Sequence, residues 1–119
     1  MTMRSALSPA LGTLLLVFPL APLKGHAILL SAAPTFNETV QGTTVQVQLR
    51  FNERIDAKRS TLMLVLPGGA ARLLPPKQPS PDTLTSDVPR LMPGDYILRW
   101  QVLAEDGHIT RGQIPFRAR

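Results

Sequence analysis

The sequence predicts an all-β fold, a single Greek-key sandwich or small barrel, on three observations. Apolar and polar residues alternate at the period of a half-buried strand in 45–51 and again in 96–102. Clusters of Pro, Gly, Asp and Ser separate the apolar runs at intervals of roughly ten residues, as turns do in small β-sandwiches. No apolar pattern of helical period is long enough for a substantial helix.

Residues 1–25 are expected to lie outside that fold. Arg4 supplies a positive start, and Ala10–Leu20 is an apolar core of the length that secretion signals use. Pro19 and Pro22 end any helix there, because proline lacks the amide N–H and clashes with the preceding turn. With those prolines and Lys24, the stretch falls short of the roughly 20 apolar residues that a membrane-spanning helix requires. The remaining segment, 26–119, is long enough for one domain with one modest core.

Within it, Val45, Val47, Leu49 and Phe51 share one face of a strand, and Gln46, Gln48 and Arg50 the other. Thr61–Leu66 is a continuous apolar run stopped by Pro67-Gly68-Gly69. Six prolines between Leu74 and Pro93 predict an irregular loop crossing the sandwich, with one short strand near Asp82–Thr85. Tyr96, Leu98, Trp100 and Val102 form the buried face of the next strand, Trp100 as a large core ring. Gly112–Arg117 closes the sheet, and Pro115, unable to donate a ladder hydrogen bond, predicts an edge or a bulge there.

Composition narrows the function classes. The formal charge is +5, part of it from Arg4 and Lys24 in the leader, and the other basic residues are scattered. Nucleic-acid binding needs clustered Lys and Arg with stacking aromatics, so it is excluded as a partner class. There is no cysteine, which rules out disulfides and thiolate metal sites. Met63 and Met92 are isolated from each other and read as packing residues. The chain has two histidines: His26 at the end of the leader, and His108 in Glu105-Asp106-Gly107-His108. Asp-Gly is first of all a turn signal. On an extended backbone, however, Asp106 and His108 point to the same side, with Gly107 permitting a tight turn between them. Glu105 is expected to face solvent.

Three blocks in order then carry a resemblance. His26-Ala27-Ile28-Leu29 followed by Ser31-Ala32-Ala33-Pro34, the strand end Leu49-Arg50-Phe51-Asn52-Glu53, and Tyr96 through Asp106-Gly107-His108 with the closing Gly112–Phe116 resemble the CopC family of periplasmic copper-binding proteins. The resemblance implies an immunoglobulin-like sandwich that binds one copper(II). The ligands it implies are the mature amino-terminal His26, through α-amine and imidazole, together with Asp106 and His108; Glu53 would be a nearby carboxylate that orients a ligand rather than binding. It further implies a non-enzymatic periplasmic carrier or buffer in copper homeostasis or resistance, handing the ion to a membrane copper transporter. Copper(II) chemistry agrees, since this ion favours nitrogen and oxygen donors in tetragonal geometry.

Two departures bear on that reading. Some family members carry a Met-rich, His-containing segment similar to a copper(I) site, and this chain has none. The site also requires cleavage after Gly25, whereas cleavage after Ala27 gives a better small-x-small pattern and would leave Ile28 first; the resemblance favours the former. A metal-free immunoglobulin-like envelope module acting through protein contacts is the alternative of another class. A third reading is an oxidative copper enzyme, since an amino-terminal His chelate also resembles that of polysaccharide monooxygenases.

Overall fold

Nine strands run through residues 26–119, the part of the chain that the computed structural model describes. They are β1 (Leu29–Ala33), β2 (Thr39–Val40), β3 (Val45–Phe51), β4 (Ile55–Val65), β5 (Ala71–Leu74), β6 (Lys77–Ser80), β7 (Thr83–Val88), β8 (Gly94–Ala104) and β9 (Ile109–Ala118). The expected secretion signal, 1–25, lies outside the described residues, among which there is no helix. One sheet has the order β1-β3-β7-β6 and the other β2-β9-β8-β4-β5. That is the strand arrangement of an immunoglobulin-like sandwich, in agreement with the all-β expectation.

The core is where the alternating patterns placed it. Val47, Leu49 and Phe51 of β3 face Leu62 and Leu64 of β4 and Tyr96, Leu98, Trp100 and Val102 of β8 across the interior, all buried. Phe51 meets Trp100 edge-on with ring centroids 5.3 Å apart, a favoured geometry for aromatic pairs. The Tyr96 hydroxyl donates to the Met92 carbonyl at 2.6 Å, a corner bond typical of these sandwiches. Gly112 of β9 stands opposite Trp100 of β8, and a Cβ there would overlap the indole. The glycine is therefore required by packing rather than by a turn.

Two expectations need correction. The proline-rich stretch 74–93 is not one irregular loop with a single short strand: the end of β5, all of β6 and all of β7 fall in it. β7 is the second interior strand of its sheet, with Thr83, Leu84, Thr85, Ser86 and Val88 buried. The prolines lie between its strands or on the edge strand β6, where a missing donor costs nothing. Nor is β9 an edge strand, since it lies between β2 and β8. Pro115 is tolerated because β2 pairs only with Arg117 and Ala118. Its own carbonyl accepts from Asn37 on that outer side, so the absent N–H faces beyond the end of β2.

A bulge in β4 shapes the end of the molecule where the candidate site lies. Four residues, 57–60, are accommodated opposite Val102 between the pairs Asp56↔Leu103 and Thr61↔Gln101. The buried Ser60 hydroxyl donates to the Asp56 carbonyl at 2.7 Å and accepts from the Leu103 amide at 3.1 Å. One side chain thus replaces ladder bonds that the insertion removes.

Candidate metal centre

Three segments meet at one end of the sandwich: 26–28 leading into β1, the β3–β4 turn at 52–54, and the β8–β9 turn at 105–108. The last is a tight hairpin. The Gly107 amide donates to the Ala104 carbonyl at 2.9 Å, and the Ala104 amide donates to the His108 carbonyl at 2.8 Å. Gly107 adopts φ +97°, a conformation that costs a glycine nothing and any side chain strain. This is why the turn carries Asp-Gly.

Asp106 and His108 are locked together by that turn. One Asp106 oxygen accepts the His108 amide at 3.1 Å, and the other lies 2.8 Å from His108 Nδ1. The amide hydrogen bond, with the imidazole contact behind it, holds the Asp106 carboxyl below the ordinary carboxylate range. A neutral imidazole making this contact carries its proton on Nδ1, which leaves the Nε2 lone pair for a metal. Both side chains are well exposed, 56% for His108 and 41% for Asp106, so an ion can reach them.

His26 arrives from the opposite end of the chain. Ala27 is buried in the core at 1% exposure, and Ile28 is tied to Asn52 by two hydrogen bonds. The His26 ring consequently stacks on that of His108, with centroids 4.8 Å apart and planes 29° from parallel. The structure thus brings together His26, Asp106 and His108 from ends of the domain about eighty residues apart in sequence. Glu53 is half-buried in the β3–β4 turn of the same end. Glu105 is exposed and paired with Arg54 at 3.8 Å; exposed as it is, this pair adds little stability.

Among the described residues, no three His, Cys, Asp or Glu side chains are arranged as a metal-holding group. Imidazole lone pairs lie in the ring plane, so rings meeting face to face do not aim at a common point. In the 119-residue chain, moreover, the His26 nitrogen is the amide of the Gly25–His26 bond. An exposed side chain reorients on a picosecond-to-nanosecond timescale, so rotation of the His26 ring is no obstacle. Sequence reasoning missed Asn52, quoted there only as part of a motif. The signal available was a short acceptor side chain just past the end of a strand.

Residues 29–119 match the family model described as the CopC domain. The chain belongs to the CopC family. Asp106 and His108 fall inside the match, and His26 lies three residues before it. Among solved structures, CopC from Methylosinus trichosporium OB3b is 30% identical over 78% of this chain and 93% of its own, with a TM-score of 0.71. PcoC, a methionine-rich copper resistance protein from Escherichia coli, is 23% identical over 79% of this chain and 99% of its own, with a TM-score of 0.64. Murine CRIg matches at 15% identity over 80% and 98%, with a TM-score of 0.50, which is a likeness of fold alone. Comparison with curated proteins returns no match.

Proposed function

We propose that this CopC-family chain is exported to the periplasm, cleaved after Gly25, and binds one copper(II) as a carrier or buffer in copper homeostasis or resistance. The single observation that carries this reading is the approach of His26 to His108, 4.8 Å between centroids. Two histidines in a 119-residue chain would not meet by default. Cleavage would turn the His26 amide into an α-amine, closing a six-membered chelate ring with the imidazole Nδ1. Asp106 and His108 would then complete a nitrogen and oxygen set suited to copper(II), with Glu53 a carboxylate nearby.

Nothing in the donor set favours copper(I). There is no cysteine, Met63 is half-buried in β4, and Met92 stands alone on the loop before β8. The name of the Escherichia coli relative describes a methionine-rich protein; this chain has no such segment. The role is therefore to hold copper(II) and pass it on, with a membrane copper transporter as the recipient. It requires no catalysis.

The test has two parts. The intact mass of the exported protein should correspond to a chain beginning at His26; a chain beginning at Ile28 removes the site. The mature protein should bind one copper(II), with affinity falling in acid as the imidazoles and the amine become protonated. Equal affinity in His108→Ala would refute the ligand set.

A further inference from the structure

The ladder between β1 and β3 does not stop at its last regular pair, Leu29↔Phe51. One step further, the Asn52 amide donates to the Ile28 carbonyl at 3.0 Å. In an ordinary antiparallel pair the Ile28 amide would return the bond to the Asn52 main-chain carbonyl. Here it donates instead to the Asn52 side-chain Oδ1, at 2.7 Å. The side chain stands in for the carbonyl, which leaves the Asn52 backbone at liberty to enter the β3–β4 turn. Only a short side chain with an acceptor two bonds from Cβ can do this, which restricts the position to Asn or Asp.

We infer that Asn52 is a positioning residue for the copper site: its side-chain bond to Ile28, added to the backbone one, fixes where the amino-terminal histidine stands relative to His108. The inference rests on the copper(II) reading above and adds a residue that touches neither the ion nor its ligands. Ile28 is two residues from His26, and the segment is otherwise held by the buried Ala27 side chain and by the stacking of His26 on His108. The turn that holds Asn52 is itself joined to the His108 hairpin. Ile55 pairs with Ala104, and Arg54 faces Glu105 at 3.8 Å. Asn52 therefore connects the two halves of the site through one short turn. Losing the side-chain bond leaves the hairpin and the backbone bond from the Asn52 amide intact but loosens the segment that carries the histidine. Both partners are exposed, so water satisfies the freed amide and the fold itself loses little.

The experiment uses the mature chain beginning at His26, loaded with copper(II) alone. Asn52→Leu keeps the size and removes the acceptor; Asn52→Asp keeps the acceptor. Asn52→Leu should raise the copper(II) dissociation constant about 10-fold, the lower end of what supporting contacts around a metal contribute. Its electron paramagnetic resonance spectrum should shift toward fewer coupled nitrogens, and the thermal midpoint of the copper-free protein should stay near wild type. Asn52→Asp should restore both affinity and spectrum. A wild-type spectrum and affinity in Asn52→Leu overturns the inference alone. So does a loss of affinity that follows a large drop in the copper-free midpoint, or one that Asn52→Asp fails to reverse. If the wild-type protein itself gives no bound copper(II) spectrum, the functional reading and the inference fall together.

Discussion

His108 and His26 stand 4.8 Å apart, yet the regions that carry them are built differently. His108 belongs to a closed hairpin between β8 and β9, whose ladder is the longest among the described residues. Its backbone and ring are both held by Asp106, and Gly107 allows the turn. His26 sits on a short lead-in held by one buried methyl group and one asparagine. The hairpin half is finished by folding. The lead-in half is positioned by folding, and on the proposed reading its donor set would be completed only by cleavage after Gly25. If the proposed site is right, export would switch it on, since the amine donor would not exist before cleavage.

The largest effect should come from breaking the half that cleavage is proposed to complete. A chain that keeps Gly25 in front of His26 retains both imidazoles and Asp106 but lacks the amine. Its copper(II) affinity, measured by competition titration, should fall on the order of 100-fold, about 2.7 kcal/mol. Thermal stability without copper should not change. Equal affinity with and without Gly25 would mean that the hairpin half binds copper by itself.

Next in size is damage to the framework behind the hairpin. Gly112→Ala places a methyl group into the Trp100 indole. In most strands that exchange is mildly favourable, since glycine pays the greater entropic cost of ordering. Here overpacking should destabilise the fold by about 1–3 kcal/mol, read as a lower midpoint in urea. Copper(II) affinity of the folded fraction should change little, because Gly112 lies four residues beyond His108, outside the turn that holds it. A stabilised Gly112→Ala protein would show that the indole has room to move.

A smaller change tests how the hairpin half is oriented. Asp106→Asn preserves an acceptor for the His108 amide but removes the charge that faces Nδ1 and serves as a proposed ligand. Copper(II) binding should weaken about 10-fold, with the copper-free midpoint nearly unchanged because the group is exposed. No change in affinity would take Asp106 out of the site.

The same division explains how much was legible in the sequence. Val45–Phe51 and Tyr96–Val102 declared themselves because each has one wet and one dry face, so alternation is enforced by burial. β7 did not. Thr83, Thr85 and Ser86 are polar yet buried, and the Thr83 and Ser86 hydroxyls donate to Asp82 and to the Pro75 carbonyl. A strand buried on both faces with polar residues leaves no alternation to read. The prolines around it added to the impression of a loop. On the candidate site, Asp106-Gly107-His108 was visible because turn chemistry and ligand chemistry coincide in three adjacent residues. The approach of His26 was visible only through the family resemblance. Asn52 escaped because its role depends on which strand lies beside it, and pairing across 24 positions leaves no local trace.

The smallest expected effect separates this end of the molecule from the β6–β7 turn beside it, where another carboxylate is held by hydroxyls. Asp82 accepts from Thr83 Oγ1 at 2.8 Å and from Ser80 Oγ at 3.0 Å, with Arg50 3.7 Å away. Those bonds, the Thr83 hydroxyl foremost, hold its carboxyl below the usual range. Asp106 is lowered too, chiefly by a backbone amide. For both groups the folded value lies under the unfolded one, near 3.9. The stabilisation each brings is therefore complete above about pH 4 and lost as pH falls through the folded value. Thr83→Val removes the first support of Asp82 and should flatten the acid limb of the stability curve, leaving neutral-pH copper(II) binding as it was. Asp106→Asn should flatten the same limb and weaken copper binding as well. If Thr83→Val also weakened copper binding, the two turns would be coupled through β3, and the lead-in would depend on more of the fold than Ala27 and Asn52.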